Sequence, residues 1–314
     1  MDVSVDSNPV SSKRASFDRA CVWTGCVAGR AVTTGVALLG AAVILACTGA
    51  TPSDRGGAPL GVGSSQPTRD APVRGRIETS SYFFDAAERD IEYAYYLPSS
   101  YRPGRAAPLV VVLHGLFSNP GQVIRYAGLV DEAERRGYVL VAPFGYNDRG
   151  WYGSMGPGRA NIGRRGGDPG PENLGELSEQ DVWNVLELAG KRFDVDPART
   201  FLMGHSMGGG GTLHLAMRRP EVFAAVAALA PAIYGDPSRV EAMRDVPAIV
   251  VQGSDDRLVP VQGTRRWVDE MKSLGMTHRY IEIADGDHVA SIARNPGMIS
   301  EVFDFFDAHP RTDR

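Results

Sequence analysis

The chain has 314 residues, and its 43% hydrophobic and 22% charged content is that of an ordinary globular protein with one large domain and additional segments. Its formal net charge of −4 is too small to indicate nucleic acid or another strongly charged partner. The three cysteines (Cys21, Cys26 and Cys47) precede the patterned region, which also lacks HExxH and calcium-loop spacings, so we expect no metal and no cofactor there.

The first 47 residues have the organisation of an export signal. A region with basic residues is followed by the apolar run Ala31–Ala46 and then by Cys47. The run is shorter than the roughly 20 residues that a membrane-spanning helix needs. Its end resembles a bacterial lipobox, although Leu45 is bulkier than the usual residue there. We expect export with a lipid anchor on Cys47, and a cleaved secretory signal and an uncleaved anchor are the alternatives.

Residues 48–76 are more than half Gly, Pro, Ser or Thr. Such a segment buries too little apolar surface to offset the entropy of ordering it, so we expect a flexible linker. No repeat is visible before or after it. The patterned region therefore begins at about residue 77.

From residue 77 onward, the hydrophobic pattern predicts strands that alternate with helices. Early strands alternate polar and apolar residues, whereas 109–113 is continuously apolar, as in a parallel strand covered on both faces. We expect one domain over 77–314, with an open, mostly parallel sheet and helices on both faces. The predicted strands are 77–84, 91–97, 109–113, 138–143, 199–204, 222–230, 247–252 and 279–284. The predicted helices are 121–136, 179–193 (with a capping box beginning at Ser178), 207–218, 237–244, 262–274 and 297–308.

The most informative segment is Gly204-His205-Ser206-Met207-Gly208, between a predicted strand and a predicted helix. A sharp strand–turn–helix junction exposes a serine hydroxyl above the sheet edge and needs glycine neighbours. The N–H of Met207 then faces the oxyanion that forms when the serine attacks a carbonyl carbon. We expect Ser206 to be a nucleophile, and the alternative is a turn serine that caps the helix. The glycines 208–211 are expected to let the helix lie close to the sheet rather than to bind phosphate.

A serine hydroxyl needs an adjacent base, and in this kind of fold the chain order is serine, acid, histidine. Of the histidines after Ser206, we expect His288 to be the base because it follows a predicted strand at the carboxyl edge of the sheet. His214 lies inside a predicted helix, His278 precedes its strand, and His309 is in the tail. The alternative for His288 is a surface loop histidine.

The acid that orients the histidine is expected after the strand 247–252. Asp255 and Asp256 both follow that strand and both lie within reach of the histidine. Such an acid fixes the tautomer of the histidine and stabilises the imidazolium. Asp287 is a third candidate, but it is too close in sequence to His288 to reach across the site easily.

The strand 109–113 is followed by His114-Gly115-Leu116-Phe117. The loop after this strand supplies the second N–H donor of an oxyanion hole in serine hydrolases of this design. We expect Leu116 to be the donor, with Phe117 as the alternative. His114 is expected to pack and hydrogen-bond beneath the site rather than to act as a base.

Residues 145–175 are rich in glycine and show no regular pattern. A stretch of this length without secondary structure is usually functional or disordered. We interpret it as a mobile flap over the substrate pocket, with Trp151 and Tyr152 at the rim, and we expect Phe117 and Tyr234 to line the same pocket. The alternative is a flexible insertion whose aromatic residues belong to the core.

From about residue 90 to 309, the chain resembles the α/β-hydrolase superfamily. It is most similar to a secreted esterase branch with polyhydroxybutyrate-depolymerase-like, feruloyl-esterase-like and dienelactone-hydrolase-like members. The matching residues are His114-Gly115, the motif 204–209, Gly253-x-x-Asp256-x-x-Val259-Pro260 and Gly286-x-His288. In the family pattern GxxDxxVP the fourth residue is the acid, so the resemblance favours Asp256 over Asp255.

The resemblance also implies Leu116 and Met207 as the oxyanion donors. The implied function is hydrolysis of a small-molecule or polymeric carboxylic ester through an acyl-enzyme on Ser206. One alternative is a serine peptidase resembling the catalytic domain of prolyl oligopeptidases, in which a large gating domain stands where this chain has residues 1–76. Another is a binding protein with this fold and no activity, although such proteins usually lack a member of the triad.

Overall fold

Eight strands form one sheet within residues 73–158 and 170–312, the parts of the chain that the computed structural model describes. The strands are β1 Ile77–Phe84, β2 Arg89–Tyr96, β3 Ala107–Leu113, β4 Val139–Pro143, β5 Val195–His205, β6 Val226–Leu229, β7 Ala248–Gly253 and β8 His278–Ile283. Their order across the sheet is β1-β2-β4-β3-β5-β6-β7-β8. The β1–β2 and β2–β4 pairs are antiparallel, and all other neighbours are parallel. The expectation of an open, mostly parallel sheet is confirmed.

Helices cover both faces of the sheet because its central strands are apolar on both sides. In β3, Leu109, Val111 and Leu113 pack on one face with residues of α3, α4 and α5, whereas Val110 and Val112 pack on the other face with residues of α1, α2 and α7. The helices are α1 Pro120–Val123, α2 Leu129–Arg136, α3 Leu174–Arg192, α4 Met207–Arg218, α5 Val261–Ser273, α6 Ala290–Ala293 and α7 Pro296–Ala308. Short 3-10 segments span Asp85–Ala87, Trp151–Gly153 and Pro237–Met243.

Two predicted helices differ from the observed ones in extent, and a third, 237–244, is the 3-10 segment Pro237–Met243. The segment predicted as one helix over 121–136 is broken between α1 and α2, where the N–H of Ala127 donates to the carbonyl of Ala293. This bond ties the chain to α6 and replaces a bond within a helix. The other difference is α3, which begins at Leu174, so Ser178 lies inside the helix and does not cap it. Its hydroxyl accepts a hydrogen bond from the N–H of Tyr152 at 3.0 Å.

The predicted signal segment 1–47, its lipidation site Cys47 and most of the predicted linker 48–76 lie outside the described residues. They stay predictions. Where the structure is described, no helix is both long and apolar enough to cross a membrane. β1 begins at Ile77.

Candidate active site

Ser206 occupies the sharp junction between the end of β5 and the start of α4. Its backbone has φ 59° and ψ −116°, a conformation that is costly for a residue with a side chain and occurs mainly at functional sites. Hydrogen bonds to both the N–H and the carbonyl of Ser206 hold this turn. The Ser206 N–H donates to the carbonyl of Leu229 at 2.8 Å, and the Ser206 carbonyl accepts from the N–H groups of Gly210 and Ala232.

The glycines after the serine bring α4 unusually close to the strand ends. A Cβ on Gly208 would lie 2.3 Å from the carbonyl oxygen of Leu113, and one on Gly210 would lie 2.2 Å from that of Ala232. Both distances are far below a van der Waals contact, and both neighbours are backbone atoms. The expected role of these glycines in close helix–sheet packing is confirmed.

The structure brings Ser206, His288 and Asp256 together in one hydrogen-bonded chain at the carboxyl edge of the sheet. The Nε2 atom of His288 lies 2.7 Å from the Oγ of Ser206, and its Nδ1 lies 2.6 Å from the Oδ2 of Asp256. The His288 and Asp256 side chains are almost completely buried. With Nδ1–H donating to the carboxylate, the free lone pair of Nε2 can accept the serine proton.

The Asp256 carboxylate is fixed by four hydrogen bonds. Its Oδ1 accepts from the N–H groups of Leu258 and Val259 at 2.9 and 2.8 Å, and its Oδ2 accepts from Nε2–H of Gln252 at 2.7 Å as well as from the histidine. The hydroxyl of Thr264 donates to Oε1 of Gln252 at 2.9 Å, which sets the orientation of that amide. The sequence analysis missed Gln252, whose signal is a polar residue in the otherwise apolar strand β7.

The other acids and histidines considered from the sequence lie elsewhere. The carboxylate of Asp255 pairs with Arg257 at 3.2 Å, and that of Asp287 accepts from the N–H groups of Val289 and Ser291 at the start of α6. The Nε2 of His214 lies 3.0 Å from a carboxylate oxygen of Glu179, away from the triad. His278 is the first residue of β8, and His309 follows α7.

Two backbone N–H groups next to the serine are available to bind an oxyanion. Within the described ranges, neither Leu116 nor Met207 donates its N–H to a protein acceptor. The loop of Leu116 is adjacent to the serine, because a Cβ on Gly115 would lie 3.4 Å from the Cβ of Ser206. Phe117, the alternative donor, is the wrong choice, since its N–H donates to the carbonyl of Asp148 at 2.8 Å.

The buried ring of His114 lies beneath this loop. Its Nδ1 is 2.8 Å from the carbonyl oxygen of Gly115, and its Nε2 is 2.8 Å from that of Phe144. Burial lowers the pKa of His114. The expectation that His114 packs and hydrogen-bonds under the site is confirmed.

The aromatic residues expected at the rim divide into two groups. Tyr152 is fully buried, and its hydroxyl donates to the carbonyl of His114 at 3.2 Å, so its expected place at the rim is wrong. Trp151 is also buried, but its ring contacts that of Tyr234 at a centroid distance of 6.2 Å. Phe117 and Tyr234 are exposed. Residues 151–153 of the predicted flap are therefore buried in the core, whereas Met155 is exposed.

A buried carboxylate anchors the start of this loop. The Oδ2 of Asp181 accepts from the N–H groups of Gly145 and Tyr146 at 2.6 and 3.2 Å, and its Oδ1 accepts from the hydroxyl of Tyr82 on β1. Burial raises the pKa of Asp181. The sequence analysis missed this role, because Asp181 lies in the segment 178–181 that was interpreted as a capping box at the start of a helix.

A second histidine, His205, holds the main chain of the loop that carries His288. Its Nε2 lies 2.8 Å from the carbonyl oxygen of His288, and its Nδ1 lies 2.7 Å from the hydroxyl of Tyr126. Burial lowers the pKa of His205 to about 4 and raises the pKa of Tyr126 to about 12. The hydroxyl therefore stays protonated and donates to Nδ1, which leaves the proton of the neutral imidazole on Nε2, facing the carbonyl.

No three His, Cys, Asp or Glu side chains within residues 73–158 and 170–312 are grouped so that they could hold a metal ion.

Comparison with known proteins identifies the family and the fold of this chain. Residues 85–271 match the family described as "Putative esterase". A "Putative esterase NocK" from Nocardia uniformis subsp. tsuyamanensis is 29% identical over 65% of this chain and 57% of its own length. An S-formylglutathione hydrolase from Mus musculus is 31% identical over 45% of this chain and 51% of its own length. The chain thus spans only about half to three-fifths of these relatives.

Among solved structures, a ferulic acid esterase from Anaeromyces mucronatus aligns with a TM-score of 0.58 over 77% of this chain and 96% of that one, at 18% identity. This similarity supports the fold alone. Because the family match covers more than half of the residues, the chain belongs to the putative esterase family and has the α/β-hydrolase fold.

Proposed function

We propose that this protein is a serine hydrolase that cleaves carboxylic esters through an acyl-enzyme. The observation that carries the proposal is the continuous chain of hydrogen bonds from Ser206 through His288 to Asp256, at 2.7 and 2.6 Å, next to two N–H groups without a protein acceptor. Membership in the esterase family supports the same reaction. Two of the names above point to different substrates, S-formylglutathione and a ferulic acid ester, and neither decides the substrate of this chain.

In the proposed reaction, the Oγ of Ser206 attacks the ester carbonyl carbon while Nε2 of His288 takes the hydroxyl proton. Asp256 stabilises the imidazolium that forms, and the Leu116 and Met207 N–H groups bind the oxyanion. Collapse of the tetrahedral intermediate transfers the proton to the leaving alcohol. A water molecule, activated by the same imidazole, then releases the acid and restores the serine. Because the imidazole has to be neutral to act as a base, we expect activity to fall in acid.

The proposed nucleophile is tested with a fluorophosphonate probe, which phosphonylates activated serines. We expect the wild-type protein to take up the probe and Ser206→Ala to take up none, together with loss of p-nitrophenyl acetate hydrolysis. Labelling that persists in the alanine variant would contradict the assignment. Faster cleavage of a peptide amide than of the matching ester would favour a peptidase instead.

The bond between Tyr126 and His205 gives a test of how the base is positioned. The Tyr126→Phe variant lacks the hydroxyl that donates to Nδ1 of His205. The imidazole proton can then move from Nε2 to Nδ1, which leaves the lone pair of Nε2 facing the carbonyl oxygen of His288. We expect kcat to fall about five- to tenfold with little change in KM, as for loss of one hydrogen bond of about 1 kcal/mol. Steady-state kinetics over a pH series measures this.

A matched pair of variants at position 205 separates positioning from packing. His205→Gln keeps an N–H near the place of Nε2 and should retain more activity than His205→Leu, which keeps bulk but no donor. Equal kcat in the two variants, with equal thermal stability, would contradict a positioning role.

We also propose that the enzyme is exported and held at the cell envelope by a lipid on Cys47. The support is the sequence pattern alone, a basic region and an apolar run followed by Cys47. The linker 48–76 would then separate the catalytic domain from the membrane.

A further inference from the structure

The hydroxyl of Tyr152 holds the end of β3 just before the loop of the oxyanion hole. It accepts from the N–H of His114 at 3.0 Å and donates to the carbonyl of the same residue at 3.2 Å. Tyr152 and His114 are both fully buried, so bulk water does not reach these bonds. One side chain thus fixes the peptide units on both sides of His114, two residues before the N–H of Leu116, the proposed oxyanion donor.

The loop that carries this tyrosine also holds the far side of the oxyanion donor. The N–H of Phe117 donates to the carbonyl of Asp148 at 2.8 Å. Phe117 has φ 63°, a left-handed conformation that is unusual for a bulky residue. Leu116 therefore lies between two residues, His114 and Phe117, that are both bonded to the segment 148–152. The direction of the Leu116 N–H depends on where that segment lies.

The ring of Tyr152 is held tightly, so its hydroxyl has a fixed place. A Cβ on Gly145 would lie 2.5 Å from Cε1 of the ring, and a Cβ on Gly211 of α4 would lie 2.7 Å from Cδ2. These two glycines leave space for the ring that any side chain would fill. The backbone N–H of Tyr152 donates to the hydroxyl of Ser178 on α3 at 3.0 Å. The tyrosine is thus fixed between the loop after β4 and the helix that follows the nucleophile.

Backbone strain marks the segment that presents this tyrosine. Trp151 and Tyr152 have φ of 57° and 51°, left-handed values that are outliers for bulky residues. Such strain persists only where the surrounding contacts enforce it, and it clusters at active sites. Here the carboxylate of Asp181 accepts from the N–H groups of Gly145 and Tyr146 and so fixes the start of the loop. The strained backbone favours a functional demand on the place of the ring over simple core packing.

We propose that Tyr152 is a positioning residue that sets the direction of the Leu116 N–H in the oxyanion hole. The inference rests on the proposed ester hydrolysis and adds to it a residue that acts through the backbone of the loop. Negative charge grows on the carbonyl oxygen as the bond from Ser206 Oγ to the carbonyl carbon forms, and the donor has to point at the place that the oxyanion takes. Loss of the hydroxyl therefore weakens binding of the transition state more than binding of the ester.

The first test is Tyr152→Phe, which removes the hydroxyl and keeps the ring. We expect kcat for p-nitrophenyl acetate to fall about tenfold with little change in KM, a smaller loss than the roughly 10²- to 10³-fold that follows deletion of an oxyanion donor. The matched control is Tyr101→Phe. Tyr101 is also buried, and its hydroxyl accepts from the N–H of Asp194 at 3.0 Å, just before β5 and at the opposite edge of the sheet from Ser206. We expect the control to keep the kcat and KM of the wild type.

A sulfur-substituted substrate separates an oxyanion effect from a general loss of structure. In p-nitrophenyl thionoacetate, sulfur replaces the carbonyl oxygen, and sulfur is a weak hydrogen-bond acceptor. A displaced Leu116 N–H should therefore lower kcat/KM for the oxygen ester more than for the sulfur ester. We expect the ratio of the two kcat/KM values to fall about five- to tenfold in Tyr152→Phe and to stay unchanged in Tyr101→Phe.

Ser178→Ala makes the same test if Tyr152→Phe does not fold. It removes the hydroxyl that accepts from the Tyr152 N–H and leaves the tyrosine intact. We expect the ratio of oxygen ester to sulfur ester to fall about two- to threefold, as for loss of one hydrogen bond. A wild-type ratio in every folded variant would overturn the positioning role and leave the esterase proposal standing. A wild-type protein that hydrolyses neither substrate would refute the proposed ester hydrolysis and this inference with it.

Discussion

Replacing Asp256 with asparagine is expected to lower kcat about 10³- to 10⁴-fold in a protein that still folds. The reason lies in the hydrogen bonds around the carboxylate. Because Oδ1 accepts from the N–H groups of Leu258 and Val259, an asparagine would keep its oxygen there and turn its NH₂ toward His288. A donor at that position forces the imidazole proton onto Nε2, which then has no lone pair for the proton of Ser206.

The same substitution also disturbs Gln252. Its Nε2–H now donates to Oδ2 of Asp256 at 2.7 Å, and in the variant it would face a second NH₂ group. Because the carbonyl of Val259 also accepts from the NH₂ group of Gln252 at 3.1 Å, a flip of the Gln252 amide would place its oxygen against a carbonyl oxygen. The variant therefore loses the correct tautomer and one buried hydrogen bond, and the first loss dominates the rate.

Asp255→Asn is the matched control, one residue away. Its carboxylate is exposed and pairs with Arg257, an interaction worth at most about 1 kcal/mol. We expect its kcat and KM for p-nitrophenyl acetate to stay close to those of the wild type. An Asp255 variant as impaired as the Asp256 variant would reject the assignment of the acid, and thermal melting of both checks that each is folded.

Gly210→Ala is expected to destabilise the protein even though alanine favours helices. Alanine gains about 1 kcal/mol of helix propensity over glycine. Its Cβ, however, would lie 2.2 Å from the carbonyl oxygen of Ala232, and overpacking against backbone costs about 3 kcal/mol or more. We expect a net loss of about 2 kcal/mol in urea unfolding and a strong loss of activity, because α4 and the Ser206 turn have to move.

Gly190→Ala is expected to change the free energy of unfolding in the opposite direction. Gly190 lies in α3, and a Cβ there would have no atom within 4 Å. We expect a stabilisation of about 0.5–1 kcal/mol, from propensity and the lower entropy of the unfolded chain. If Gly210→Ala and Gly190→Ala changed stability in the same direction, the close approach of α4 to the strand ends would not be the reason that position 210 requires glycine.

The features that could be predicted from the sequence are those with a local pattern. Continuous apolar runs such as 109–113 identified the buried parallel strands, and the strand–turn–helix context of Ser206 identified the sharp junction that exposes its hydroxyl. Chain order and strand ends were enough to expect His288 at the carboxyl edge. The choice of Asp256 over Asp255 came from the family pattern, because residue type and position leave the two equivalent until the loop geometry is known.

The features that were missed depend on partners far apart in the chain. Tyr152 was expected at the rim, yet its hydroxyl bonds the backbone of His114, and no local signal announces that contact. The same holds for Asp181 with the loop at Gly145, and for Tyr126 with His205. A buried polar side chain is satisfied by whichever group the fold brings to it, so its partner emerges only with the three-dimensional arrangement.

β8 pairs with only one neighbour, β7, and is the last strand of the sheet, yet the loop that leaves it carries His288. Hydrogen-bond ladders open most readily at such borders, where local fraying costs less than unfolding the interior. A brief peeling of this one strand would carry the general base away from the nucleophile while the middle of the sheet stayed intact. Catalytic competence is therefore tied to an edge strand of the sheet.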